Sequence, residues 1–325
     1  MAGGQERVLR RRIKSVQSTK KITKAMELIA ASRIVKAQQR VQAARPYGEQ
    51  ITQVIRNLAA AGAGGDSPLL QARPEINTVC FIVVAADRGL AGGYNASVIR
   101  TAERAILAER AQGRTTSLVT VGKKATSYFK FRGYEIDAVF GGFSDAPTYE
   151  DARAVAEAVV GRFEGNEYDQ VRLVYTRFIT VATQQVSDSV YLPLEKAEAD
   201  PDAPSGPTAD YEFEPSPAEI LDRLLPRYAE ARLFAAFLEA AASEMANKQR
   251  AMKAATDNAE ELITKLSRVM NRARQDSITT EIMEIVSGAE ALRQTGNDKE
   301  DLLLDHIDPH DLFGHQTDSH GHHIR

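Results

Sequence analysis

Two long stretches at opposite ends of this chain carry almost no residue that breaks a helix, and each carries an apolar stripe that has to be covered. No glycine lies between Gly4 and Gly48, and no proline precedes Pro46. Across that stretch Val8, Ile13, Val16, Ile22, Met26, Ile29, Ile34 and Val41 recur mostly three, four or seven positions apart, the spacing of one side of an α-helix. Beyond Pro226 neither glycine nor proline occurs until Gly288. There Met252, Ala255, Ala259, Leu262, Leu266, Val269, Ala273, Ile278, Ile282, Ile285, Ala289 and Leu292 keep a near-continuous stripe. At about 1.5 Å per residue such helices would be rods of roughly 80 and 100 Å, whereas globular helices average about 11–12 residues. The obvious cover for each stripe is the other. The sequence therefore predicts a long antiparallel coiled coil of N- and C-terminal helices, residues 1–60 and 218–293, with Pro226 either starting the second helix or kinking it.

What lies between reads differently. A glycine-rich loop, 61–75, holds Gly62, Gly64, Gly65 and Pro68. Residues 76–195 alternate strand and helix: 78–85, 117–121 and 171–179 are strand-like, 96–112 and 148–163 helical in period. That alternation implies an inserted α/β domain with a mostly parallel, wound sheet and helices on its faces. Residues 196–217 hold five of the twelve prolines among many acids and read as a solvated linker. The last stretch, 294–325, is polar and reads as disordered.

Charge is polarised along the chain although the net value is only −3. Between Gln5 and Arg45 twelve Lys and Arg face only Glu6 and Glu27, while all six His lie in the last twenty residues. The basic helix invites a nucleic-acid reading, but no aromatic residue precedes Tyr47, so bases would find nothing to stack on. The His tail holds a common ligand type, yet without Cys or an ordered element a solvated, pH-sensitive tail is the favoured reading over a metal site. Cys80, alone in a strand, reads as a small buried hydrophobe and rules out an internal disulfide. The longest apolar run, 79–86, is eight residues, where a membrane helix needs about 20. The basic start has no apolar core of a secretory signal, so none is expected.

Enzyme chemistry finds few candidates. The loop after the first strand, Asp87-Arg88-Gly89-Leu90-Ala91-Gly92-Gly93-Tyr94-Asn95, lies where an α/β fold binds phosphate, but its spacing is not G-x-G-x-x-G. Gly122-Lys123-Lys124 lacks the flanking residues of a P-loop. A tight turn offering backbone amides to a protein neighbour is the favoured reading, and a nucleotide-binding enzyme with helical arms is the rival one.

Three stretches, in order, resemble the γ subunits of F-type ATP synthases. Residues 13–33 are similar to the family's N-terminal helix, and 87–95 resembles its S-D-R-G-L-C-G-x-x-N loop. The third and most specific covers 243–252, 254–259, 271–282 and 284–289. Together they span about residues 4–293. Ala91 replaces the family's usual Cys, Lys248 its common Arg, and Met270 a frequent Tyr, and the tail after about Gly296 runs past the usual end. The resemblance implies the same architecture, with a Rossmann-like inserted domain, and a non-catalytic rotor shaft needing no cofactor or metal. Its coiled coil would enter a ring of α and β subunits, and its globular end would sit with the ε subunit on the membrane c-ring, peripheral on the cytoplasmic side of the cell membrane. By the same resemblance Lys24, Met26, Arg33, Lys248, Gln275 and Thr279 would make the contacts governing coupling, against the plain alternative of ordinary coiled-coil surface. The apolar end carrying Ile278, Ile282, Ile285, Val286, Ala289 and Leu292 would turn in an apolar sleeve. Asp87, Arg88, Gly89, Gly92, Gly93 and Asn95 are the candidate residues of the globular-domain loop.

Overall fold

The computed structural model describes residues 2–60, 67–194, 214 and 216–304. In chain order the elements are α1 (Ala2–Ala60), β1 (Thr78–Val84), α2 (Tyr94–Ala111), β2 (Thr115–Val121), α3 (Lys123–Phe131), β3 (Ala138–Phe140), α4 (Tyr149–Glu164), β4 (Gln170–Phe178), β5 (Gln184–Leu192) and α5 (Pro217–Leu304). The chain divides into two compact units, Thr19–Asn258 and Met1–Ser18 with Ala259–Arg325.

The larger unit is built on a five-stranded sheet of order β3-β2-β1-β4-β5. β1 pairs in parallel with β2 and β4, β2 in parallel with β3, and β4 antiparallel with β5. β1 forms because six of its seven residues, TVCFIVV, are β-branched or aromatic, and the six from Val79 to Val84 are buried on both faces, the signature of a central parallel strand. Its alternation divides the core. Val79, Phe81 and Val83 meet α2 and α3 through Val98, Ala102 and Phe129. Cys80, Ile82 and Val84 meet α4 through Val155 and Val159, together with Leu58 of α1 and Leu225 of α5. The helix α4 begins on a reciprocal cap, Thr148 accepting from the Asp151 amide while Asp151 accepts from the Thr148 amide.

Within this unit α1 and α5 pack antiparallel. Val41 lies against Leu238 and Ala242, Ile34 against Met245 and Ala246, and the Thr256 hydroxyl donates to that of Thr23 at 2.8 Å. Each step forward along α1 is a step back along α5. Pro46 lies inside α1 and Pro226 inside α5, each giving up one backbone hydrogen bond without ending its helix. Pro226 therefore neither starts the helix nor stops it: α5 begins at Pro217.

In the smaller unit Ile13, Ala259 and Leu266 are buried, whereas the side chains from 278 to 293 are exposed. The helix runs on to Leu304, past the boundary expected at 293. Residues 305–325, with all six His, and almost all of the expected linker, lie outside the described residues.

Candidate functional site

The loop after β1 is organised by one carboxylate. Asp87 accepts the Lys123 amide at 3.0 Å on Oδ1, and those of Gly142 and Ser144 at 2.8 and 3.1 Å on Oδ2. Its own amide donates to the Ser144 hydroxyl at 2.9 Å. Burial pushes this carboxyl up, but the amides of Ser144, Lys123 and Gly142 outweigh it and hold it below the usual range. Gly122 follows β2 at a φ of 95°, where a Cβ would overlap the Ala85 carbonyl, so only glycine lets the ends of β1 and β2 approach this closely. Asn95 closes the loop on itself: Oδ1 accepts the Ala86 amide at 2.9 Å and Nδ2 donates to the Arg88 carbonyl at 3.4 Å.

At the start of α3 the Lys123 amide is thus taken by Asp87 and the Lys124 amide by the Ala86 carbonyl, at 3.0 Å each. The loop's protein neighbour is α5 of the same chain: a Cβ on Gly92 would stand 3.5 Å from that of Ala251, and the Tyr94 hydroxyl donates to the Ala240 carbonyl at 3.2 Å.

Next to it lies an ionic recess of about 200 Å³ walled by Arg33, Asp87, Arg88, Lys123, Glu244 and Lys248, among others. Arg33 Nη1 of α1 reaches Asp145 Oδ2 at 2.8 Å, and Lys248 Nζ reaches Glu244 Oε1, one turn back on α5, at 2.7 Å. Glu244 is only 2% exposed. Burial pushes its carboxyl up, opposed by the bond from Lys248 and reinforced by the nearby Asp145 charge. Two of the expected coupling residues, Arg33 and Lys248, therefore meet the loop residues Asp87 and Arg88 in one cluster. Asp145 and Glu244 were not singled out from the sequence. The available signal was a carboxylate four residues before Lys248, the spacing of a helical ion pair.

The other expected residues are dispersed. Lys24 is exposed and pairs with Glu27 at 3.1 Å, and Met26 is half-buried. Gln275 and Thr279 belong to the smaller unit, one turn apart on α5, with the Thr279 hydroxyl donating to the Gln275 carbonyl at 3.0 Å. Ile278, Ile282, Ile285, Val286 and Leu292 are all large and exposed, and Ala289 is exposed with them. Among the described residues no group of His, Cys, Asp and Glu is arranged to hold a metal, and no helix is long and apolar enough to cross a membrane. A wider cavity of about 840 Å³ lies between α1, α5 and Tyr149 at the start of α4, away from these clusters.

A family model described as ATP synthase matches residues 5–292. The ATP synthase gamma chain of Frankia casuarinae is 50% identical over 293 residues, 89% of this chain and 98% of that one. The ATP synthase gamma chain of Kineococcus radiotolerans is 46% identical over 301 residues, 90% of this chain and 99% of its own. Among solved structures, a chain of the Euglena gracilis mitochondrial ATP synthase (OSCP/F1/c-ring, rotational state 3) superposes with a TM-score of 0.64. It covers 90% of this chain and 96% of that one, and at 16% identity the likeness is one of fold.

Proposed function

The chain belongs to the ATP synthase γ-chain family, and on that premise we propose that it works as the central-stalk rotor subunit, carrying c-ring rotation to catalytic β subunits. The observation that supports this most directly is α5 itself. Within the larger unit it is clamped against α1 and the sheet, while its stretch from Ile278 to Leu292 carries large apolar side chains into the open. An apolar helix end with few directional bonds suits a bearing: an apolar sleeve covers it at any angle, because the hydrophobic effect is non-directional.

In this reading the chain has no active site of its own. It acts on β as an allosteric ligand that turns, and it shifts each β subunit only by the difference in contact energy between states. Lys24, Met26, Arg33, Lys248, Gln275 and Thr279 are the proposed contacts. Each proton contributes roughly 2.3 kcal/mol per 100 mV, so several must act through the shaft for each ATP. The proposed partners are a ring of α and β subunits around the helices, with ε and the c-ring at the α/β domain. Attachment to the cytoplasmic side of the cell membrane is then indirect, through the c-ring. Residues 1–60 and 218–293 would serve as shaft and 76–195 as the seat on the ring.

Co-expression of the tagged chain with α, β and ε tests the reading. The expected result is a stoichiometric complex whose ATP hydrolysis depends on the chain. A chain that elutes alone, with α and β hydrolysing ATP equally well without it, overturns the proposal.

A further inference from the structure

A second polar cavity, about 280 Å³, opens beside the first turn of α2 and is bordered by Ser97, Thr176, Thr183, Gln184, Asn247 and Arg250. Its place in the topology is the one where open α/β sheets bind ligands. β1 and β4 are neighbours, α2 leaves β1 over one face of the sheet, and α4 enters β4 from the other. α4 joins β4 at its amino end, and β4 leaves by a hairpin to β5. The cavity therefore lies between the β1–α2 loop and that hairpin, at the carboxyl ends of two neighbouring parallel strands, the end of an open α/β sheet at which ligands bind.

Two independent features supply donors there. The first is the start of α2, an eighteen-residue helix whose N-cap, Gly93, gives no side-chain cap and whose first turn holds no acid. The Tyr94 amide of that turn donates to the Ala91 carbonyl at 3.2 Å, which leaves the Asn95 and Ala96 amides and the positive end of the dipole for another acceptor. The second is Thr176. This residue is 4% exposed, and its Oγ1 is buried without a hydrogen-bond partner. It stands two positions beyond Val174, which packs with Val98 and Ala102 of α2, so its hydroxyl is on the α2 side of the sheet. A buried hydroxyl left unpaired is a cost the fold does not need unless something fills the site.

Arg250 completes the set. Its Nη2 donates to the Ala182 carbonyl at 3.3 Å and to Gln184 Oε1 at 2.7 Å, and Gln184 Oε1 also accepts from Asn247 at 3.3 Å. These bonds fix the guanidinium at the mouth while engaging only one of its three nitrogens. No Asp or Glu borders the cavity. From this geometry we infer that the cavity is a binding site for a tetrahedral oxyanion of the phosphate type, held by the α2 amides, the Thr176 hydroxyl and the Arg250 fork. The start of α3 offers the contrast: there the chain's own Asp87 takes the amide that faces the loop. The one ring at the cavity, Tyr94, is 4% exposed and commits its hydroxyl to the Ala240 carbonyl, so the site recognises a phosphate group and not a base.

Calorimetric titration of the full chain with inorganic phosphate, at constant ionic strength against chloride, tests the inference, with pyrophosphate and ATP as parallel arms. The expected result is one saturable site, weakened at least about tenfold (about 1.4 kcal/mol) by Arg250→Gln and by Thr176→Val. Gly93→Asp, which sets a carboxylate at the N-cap, should abolish binding. Tighter ATP binding with the same three sensitivities would assign the phosphate to a nucleotide tail, and tighter orthophosphate or pyrophosphate binding to a free anion; both uphold the site. Circular dichroism confirms that each variant is folded. No saturable binding of any of the three, or binding indifferent to all three substitutions, overturns the inference and leaves a cavity that holds water.

Discussion

Asp87 and Glu244 border the same recess, and their surroundings drive them in opposite directions. Asp87 is lowered, so its contribution to stability is present above its unfolded value of about 3.9 and is lost as pH falls through the lower folded value. Asp87→Asn puts an amide where three N–H groups need acceptors. It should cost about 2 kcal/mol at neutral pH, the lower part of the range for charged hydrogen bonds because the carboxylate is partly in water. The signature is a loss that shrinks as denaturant midpoints are measured toward pH 3; an equal loss at every pH would exclude the carboxylate's role. Glu244 is raised, which reverses the sign: folding favours its neutral form. That contribution is present below about pH 4.3 and is lost as pH rises through the folded value. Glu244→Gln should flatten this part of the profile. If wild type and variant keep parallel profiles from about pH 4 to 8, the burial of Glu244 does not govern its ionisation. Arg33 and Asp145 are a different case, being largely exposed, and a pair of that kind contributes little.

At the scale of elements, α5 has two kinds of surface. Leu221 and Leu225 are at most 1% exposed against β5 and the end of α1, whereas Leu292 is 76% exposed. Leu225→Ala should cost about 2–5 kcal/mol in urea unfolding. Leu292→Ala should stay within about 0.5 kcal/mol. A large loss from the second would mean that the exposed stretch is packed in solution. This division also explains what could be read from the residues. β1 was legible because burial on both faces demands an unbroken apolar run, and the long helices because an unbroken stripe leaves few alternatives. Three elements were not. α3 has nine residues and β3 three, too short for a period to stand out. β5 carries Gln184, Gln185, Ser187, Asp188 and Ser189, and it is a strand because β4 pairs with it, as Arg172 of β4 and Asp188 of β5 do at 2.7 Å. The loop motif announced Asp87 itself. Its three partners come from positions 123, 142 and 144, which only the sheet brings together.

For the molecule as a whole, the question is which residues serve its own fold and which serve an assembly. Lys248 can be assigned by experiment, because the two roles leave different traces. If its main partner is Glu244, Lys248→Ala strands a carboxylate that is 2% exposed, and breaking a buried pair from one side costs about 3–5 kcal/mol. Lys248→Ala with Glu244→Gln should then recover much of that loss, since no charge is left buried. If Lys248 is instead held mainly by a β subunit, the isolated chain should tolerate Lys248→Ala within about 0.5 kcal/mol, and only ATP-driven proton pumping by the complex should fall. The ion pair at 2.7 Å favours the first outcome for the free chain. A rotor contact that must form and break as the shaft turns gains from such a resting partner: the lysine need not stay buried and unpaired between encounters. The combined prediction is therefore a double trace. Single Lys248→Ala should lower both stability and coupling, whereas the double variant should restore stability and leave coupling low. Restoration of both by Glu244→Gln would reduce Lys248 to a structural residue and remove it from the proposed coupling set.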